Sequence, residues 1–288
     1  MLHRLRTITS HLPKAVSTQT VHAIASISST TGVEYTVHND NVACCTVPAV
    51  QSDYKPQGTI RPYAGFDRAY ITGSDSSATA LICVFDIFGF KPQTQLGADM
   101  LAHALRARVV MPDFFEPSAP WDAARHPPKT DADRAALQAF FGGPARPQDA
   151  VPKLARVGAA LRADGARRVG AYGLCWGGKV VILAGGAKDT VLDSVAAVHP
   201  VMLKVEDTHA LRIPLGIYPS KDEPFDEYQK ILDIIRVNPF ASKNDHKLYE
   251  TMFHGWAGAR ANLDDPENKK QFEDIYARLA TFFTASIE

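Results

Sequence analysis

The segment Gly173-Leu174-Cys175-Trp176-Gly177-Gly178 constrains the fold of this chain more strongly than any other. A mainly apolar run, 168–172, precedes it, and a second apolar run, 180–184, follows it. A strand that turns abruptly into a helix at Gly-x-nucleophile-x-Gly presents its central residue as a nucleophile, here a cysteine. Glycines are needed on either side because larger residues would collide with the neighbouring strand and helix. The positive end of the helix would favour a thiolate at Cys175 and, later, an oxyanion.

Short apolar segments alternate with helical patterns along the rest of the chain. Strands are predicted at 80–85, 108–112, 168–172, 194–198, 213–218 and 246–253, and helices around 96–105, 131–141, 147–162, 223–235 and 267–283. This alternation predicts an α/β fold with a mostly parallel central sheet and helices on both faces. Ligands bind such sheets at the carboxyl ends of the strands, and the strand-to-helix turn at 173–178, called the elbow below, falls at such an end.

One continuous domain, residues 41–288, is predicted after an N-terminal extension, residues 1–40. The first 33 residues contain three basic residues, no Asp or Glu, and many Ser and Thr. This composition is typical of a mitochondrial transit peptide, and a disordered tail is the alternative. A cytoplasmic and a mitochondrial location therefore both stay open. No apolar run reaches the ~18 residues of a membrane span, so we expect no membrane association.

Charge and cysteine content exclude several classes of function. The chain has 31 basic and 31 acidic side chains, without the clustered basic face that nucleic-acid binding usually needs. The four cysteines form no disulfide framework, and no His/Cys cluster has metal-ligand spacing, so we expect neither a metal nor another cofactor. A P-loop is excluded because Gly178-Lys179 is followed by Val180 rather than Ser or Thr.

A cysteine nucleophile needs a base, and the best candidate for the base is His254. It follows a predicted strand and precedes Gly255, which places it on a loop at the rim where Cys175 lies. His246 opens the same strand, at the wrong end, and His209 lies in a charged segment. His199 also ends a strand and could line the rim, but we prefer to interpret it as a histidine whose ring is satisfied by local hydrogen bonds.

The acid that orients the base should lie between the elbow and His254. Asp222 follows the predicted strand 213–218 and is preferred because it is closest to the strand end. Glu223 and Asp226 are alternatives, although Glu223 is also favoured at a helix start by the helix dipole alone.

Asp86 follows a wholly apolar strand and is expected near the thiol, where it could hold the sulfhydryl or accept its proton. Its alternative role is that of a turn or cap residue ahead of Gly89. The backbone N–H groups of Ile87 and Trp176 would form a two-donor oxyanion hole.

The segment Pro112–Lys129 interrupts the regular pattern. It holds five prolines together with aromatic residues, and it shows little periodicity. A long irregular loop in a compact domain often covers a site, so we predict a lid; a plain surface excursion is the alternative.

Taken together, these residues make the chain resemble the dienelactone hydrolase family, and within it the fungal and eukaryotic members related to carboxymethylenebutenolidase. The motifs that carry the resemblance are Cys44-Cys45-Thr46-Val47-Pro48, Asp86-Ile87-Phe88-Gly89-Phe90, Met111-Pro112-Asp113-Phe114-Phe115, the elbow and His254-Gly255-Trp256. The resemblance covers the chain from about Cys44 to its C-terminus.

The resemblance implies an α/β-hydrolase fold and a Cys-His-Asp triad of Cys175, His254 and Asp222. It implies hydrolysis of small lactones or esters through a thioester, with the acid at Asp86 contacting the resting thiol. Expected substrate contacts are Arg260, for a substrate carboxylate, and Phe114, Trp121 and Trp256; a solvated arginine is the alternative for Arg260. We expect a small ester or lactone as the only partner, on a monomer or homodimer. A non-catalytic binding or redox-sensing module and a broad-specificity xenobiotic esterase are the competing hypotheses.

Overall fold

The computed structural model describes residues 48–287, so the N-terminal extension and the Cys44-Cys45 pair lie outside the described residues. These residues form an eight-stranded sheet. Its strands are β1 (Thr59–Tyr63), β2 (Phe66–Thr72), β3 (Thr79–Val84), β4 (Arg108–Pro112), β5 (Arg168–Leu174), β6 (Ser194–Val198), β7 (Leu215–Tyr218) and β8 (Asp245–His246). The spatial order is β1-β2-β4-β3-β5-β6-β7-β8.

In this spatial order, every neighbouring pair from β4 through β3 to β8 is parallel. β1 pairs antiparallel with β2, and β2 pairs antiparallel with β4. The mostly parallel sheet is therefore confirmed. Its helices are α1 (Pro92–Leu105), α2 (Asp131–Gly142), α3 (Pro147–Ala163), α4 (Trp176–Gly186), α5 (Glu206–His209), α6 (Phe225–Ile235) and α7 (Pro266–Ser286). None of these described helices is long and apolar enough to span a bilayer.

Helices cover both faces of the sheet, as strand alternation requires. The neighbouring β3 residues Leu81 and Ile82 point to opposite faces. Leu81 packs beside Gly170 on the face of Phe283 from α7, whereas Ile82 approaches Gly158 of α3 on the other. Every residue of β4, β6 and β7 is buried, which explains why these strands are almost wholly apolar after Arg108 and Ser194 at the starts of β4 and β6.

The predicted strand at 246–253 is wrong in length, because β8 has only two residues. The chain stays beside β7 and its extension: Lys247 N–H donates to Ile217 O and Tyr249 N–H to Pro219 O. Pro219 has no N–H to donate in return, so a regular ladder cannot continue past β7. The result is a loop that carries His254 back across the strand ends.

Candidate active site

The turn between β5 and α4 has the geometry expected of the elbow. Cys175 is held at φ 54° and ψ −113°, an unfavourable conformation for a residue with a Cβ. A Cβ at Gly173 would lie 2.0 Å from the carbonyl oxygen of Gly177, and a Cβ at Gly177 would lie 1.9 Å from that of Val84. Both glycines are therefore required by close backbone approach, as the sequence predicted.

Two buried histidines lie beside the elbow. The Cys175 N–H donates to Nδ1 of His199 at 3.1 Å. The His199 ring packs edge-on against the His254 ring, with centroids 5.2 Å apart and planes at 76°. The structure thus brings the elbow and His254 to the same imidazole, although Cys175 and His254 are 79 positions apart in the sequence.

The acid that contacts the imidazole is Glu223 rather than Asp222. Glu223 Oε1 lies 2.6 Å from Nδ1 of His254, and both side chains are fully buried. The Asp222 carboxylate instead accepts the backbone N–H of His254 at 2.8 Å. The prediction that Asp222 contacts the imidazole ring is therefore wrong. The turn after β7 directs Glu223 inward, where its carboxylate also accepts the Ser220 N–H, while the Asp222 side chain stays at the partly exposed edge.

This pairing determines the proton on the imidazole. A carboxylate only accepts, so Nδ1 of His254 carries the hydrogen that it donates to Glu223. The neutral ring then has Nε2 as its basic nitrogen, which is the arrangement that a general base requires. Asp226, the third acid considered, is exposed in the first turn of α6.

Asp86 connects two segments of the site. Its Oδ1 accepts the Phe88 N–H and its Oδ2 accepts the Ala259 N–H, both at 3.0 Å. A Cβ at Gly258 would lie 3.0 Å from Oδ2, so a small residue there lets the loop after His254 approach. The turn role also holds, because the Asp86 carbonyl accepts the Gly89 N–H. Contact of Asp86 with the thiol stays a prediction.

The two expected oxyanion donors lie on firmly held segments. Trp176 begins α4, where backbone N–H groups have no partner within the helix. Its indole N–H donates to Ala145 O at 2.6 Å, and its ring packs on Phe115 at 4.8 Å. Ile87 is fully buried, and its carbonyl accepts the Trp121 N–H at 2.8 Å.

The segment Pro112–Lys129 packs onto the turn that carries Ile87. Trp121 is nearly buried and donates its backbone N–H there, and the ring of His126 stands edge-on to Phe88 at 5.1 Å. Phe114, another predicted substrate contact, is buried with its ring 6.3 Å from Trp176. The segment therefore covers the site turn, whereas its opening as a lid stays a prediction.

Arg260 is fully buried, which rules out the solvated arginine considered from the sequence. Its guanidinium lies 5.0 Å above the Phe88 ring and 3.2 Å from Nε2 of His126. Trp256 is also buried, stacked at 4.5 Å on Tyr249. Both positions belong to the loop that follows His254.

Three residues of the site were not selected from the sequence: Glu223, His199 and His126. Glu223 and His199 were considered because each follows a strand end, but Asp222 and His254 were preferred. His126 carries no sequence signal, because it lies in an irregular segment. Within residues 48–287 no group of three or more His, Cys, Asp or Glu side chains is arranged to hold a metal ion.

Comparisons with known proteins identify the family and the fold. A family model described as the dienelactone hydrolase family matches residues 68–287. C30D10.14 of Schizosaccharomyces pombe, named an uncharacterized AIM2 family protein, is 36% identical over 216 residues, covering 74% of this chain and 85% of that protein. The mouse carboxymethylenebutenolidase homolog is 28% identical over 221 residues, covering 74% and 84%. The crystal structure of a dienelactone hydrolase from Anabaena variabilis shares the fold, with TM-score 0.56 and 8% identity over 82% of this chain and 100% of that one.

Proposed function

The chain belongs to the dienelactone hydrolase family, and we propose that it hydrolyses small lactones or esters through a thioester on Cys175. The observation that carries this proposal is that the His199 imidazole contacts both the Cys175 peptide and the ring of His254. The His254 ring is in turn paired with the Glu223 carboxylate. In this assignment Cys175 is the nucleophile, His254 the general base and Glu223 the acid that orients it.

The reaction follows from these roles. Nε2 of His254 takes the thiol proton, and the Cys175 sulfur attacks the substrate carbonyl carbon. The N–H groups of Ile87 and Trp176 hold the resulting oxyanion. The tetrahedral intermediate collapses, the C–O bond breaks, and the alkoxide or enolate leaves with the proton from His254. Water then attacks the thioester with His254 again as base, which releases the acid and restores the thiol.

The thiol nucleophile supports esters and lactones over amides. A thiolate leaves a tetrahedral intermediate more readily than an amine does, so an amide substrate would return to the starting thiol. An enolate, or the oxygen leaving group of an activated ester, competes with the thiolate because its basicity is close to that of a thiolate. Enol-lactones and activated esters are therefore the substrate class that this nucleophile serves best.

Arg260 supports a carboxylated substrate. A guanidinium buried near the Ile87 turn supplies a positive charge in a low-dielectric region, where a carboxylate is bound most strongly. We assign to Arg260 the recognition of the free carboxylate on a lactone acid. The aromatic residues Phe114, Trp121 and Trp256 would supply the apolar surroundings of the ring.

Replacement of the nucleophile tests this function. Cys175→Ala should reduce the turnover of small lactones and p-nitrophenyl acetate by about 10⁶-fold, as for other nucleophile deletions. The matched control is Cys83→Ala, because burial raises the pKa of the Cys83 thiol to about 12 and leaves it protonated at neutral pH. Full activity in Cys175→Ala would disprove the mechanism. Inertness of the wild-type enzyme toward every such substrate, with rapid peroxide oxidation of Cys175, would instead indicate a redox sensor.

A further inference from the structure

His199 occupies an unusual position for a histidine. It follows β6 directly, is fully buried, and has φ 39°, in the left-handed region that residues with a Cβ rarely adopt. Its backbone N–H donates to Tyr218 O at the end of β7, at 2.9 Å. Such a conformation persists only where the surrounding structure holds it, and it often accompanies a functional constraint.

The turn that begins at His199 binds the nucleophile's own peptide groups. The Cys175 N–H is shared between Val198 O and Nδ1 of His199, each at 3.1 Å. The Cys175 carbonyl accepts the Val201 N–H at 3.2 Å. Cys175 itself has a positive φ of 54°, so two strained residues from neighbouring strands support each other through these bonds.

The hydrogen bond to Cys175 also determines the state of the His199 ring. Because Nδ1 accepts a proton-bearing N–H, a neutral His199 carries its own hydrogen on Nε2. A doubly protonated ring would place two N–H groups against each other and would break the bond to the elbow. His199 therefore differs from His254, whose Nδ1 donates to Glu223.

From these contacts we infer that His199 is a positioning residue for the proposed thiol reaction, on which this inference rests. It acts through its Nδ1 acceptor, which holds the strained Cys175 peptide so that the sulfur is presented to His254. It is not a second general base, because its acceptor nitrogen is engaged by the elbow. Its ring, packed at 5.2 Å against His254, also limits where that imidazole can lie.

Two variants of similar shape separate the acceptor from the space that the ring fills. In His199→Asn the Oδ1 atom can accept the Cys175 N–H, and asparagine tolerates a positive φ. In His199→Leu neither property is present. We expect His199→Leu to lower kcat for p-nitrophenyl acetate by about 10- to 100-fold with KM within about threefold, and His199→Asn to recover most of that loss. Rates are compared well below the melting temperature of each variant, where a merely structural role would leave kcat unchanged.

Three outcomes would overturn the inference: wild-type kcat in His199→Leu, equal losses in the two variants, or a loss that appears only in KM. Should His199→Leu fail to fold, ¹⁵N-histidine NMR of the wild-type protein gives an independent test, with His199→Asn identifying the resonance. We expect the tautomer with hydrogen on Nε2, and hydrogen on Nδ1 would overturn the inference.

Cys175→Ala, measured in parallel, keeps the two proposals distinct. Its full activity would refute the nucleophile, whereas its inactivity beside an unaffected His199→Leu would refute only the role of His199.

Discussion

The Glu223 carboxylate lies 2.6 Å from Nδ1 of His254, inside the protein and away from solvent. Its sequence neighbour Asp222 binds the same histidine through the backbone N–H. Two adjacent acids thus share one histidine, one holding the ring and the other the peptide. The contact with the ring needs a negative charge, whereas the contact with the peptide needs only an acceptor oxygen. Single substitutions can therefore separate the two contacts.

The first prediction separates these two acids. Glu223→Gln should lower kcat by about 10²- to 10⁴-fold, because an amide can stabilise the wrong imidazole tautomer and cannot neutralise an imidazolium. Asp222→Asn should stay within about threefold of wild type, because the asparagine Oδ1 can still accept the His254 N–H. Steady-state kinetics on one activated ester measures both. The reverse ranking would return the triad acid to Asp222.

The second prediction concerns the glycine after Trp176. Gly177→Ala should lower the free energy of unfolding by about 3 kcal/mol or more, because the new Cβ would meet the Val84 carbonyl, which lies in the sheet. Gly142→Ala is the matched control: this residue ends α2, and a Cβ there meets nothing within 4 Å. Alanine should stabilise that position by about 0.5 kcal/mol. Urea unfolding of both variants measures the difference, and equal effects would contradict the steric argument.

The third prediction is a pH dependence of stability at Asp164. Hydrogen bonds from Arg108 at 2.8 Å and Tyr63 at 2.9 Å hold the pKa of this carboxylate below its ordinary value of 3.8. Because the folded-state pKa is the lower one, these contacts stabilise the fold above the unfolded-state pKa. Their contribution is lost as the pH falls through the folded-state value.

Asp164→Asn should therefore lower the melting temperature by about 2 °C near neutral pH, as expected for a partly exposed ion pair worth about 0.5–1 kcal/mol. The difference from wild type should shrink as the pH is lowered below 3.8. Tyr63→Phe removes one of the two bonds and should give a smaller effect with the same trend. Calorimetry across this pH range provides the measurement, and a difference independent of pH would contradict the assignment.

The fourth prediction concerns the charge of the substrate. Arg260→Gln should reduce kcat/KM for a carboxylate-bearing enol-lactone about 10- to 100-fold more than for its methyl ester, because a charge-assisted hydrogen bond is worth about 1.5–3 kcal/mol. The ratio of the two substrates cancels any general damage from replacing a buried side chain. Equal losses on both lactones would show that Arg260 only packs against Phe88 and His126.

The strands that the sequence predicted best are those buried on both faces. The predictions for 108–112 and 194–198 coincide with β4 and β6, since every residue of both strands is buried. β1 and β2 were not predicted. β1 is a mostly exposed edge strand that is held in place by its antiparallel pairing with β2, so its residues form no buried apolar run. β8 was predicted too long because the ladder is interrupted by Pro219, which follows its partner strand β7.

The sequence alone determined the elbow turn and the α/β architecture, and it predicted Cys175 as the nucleophile and His254 as its base. These depend on local chain geometry and on periodic burial, which a single segment carries within itself. Only the tertiary structure decided that Glu223 rather than Asp222 meets the imidazole, that His199 binds the Cys175 peptide, and that Arg260 is buried. Each of these contacts joins loops from different strands. The distances of one or two ångströms that decide them are set by how the strands pair and the turns pack, and no residue pattern encodes such distances directly.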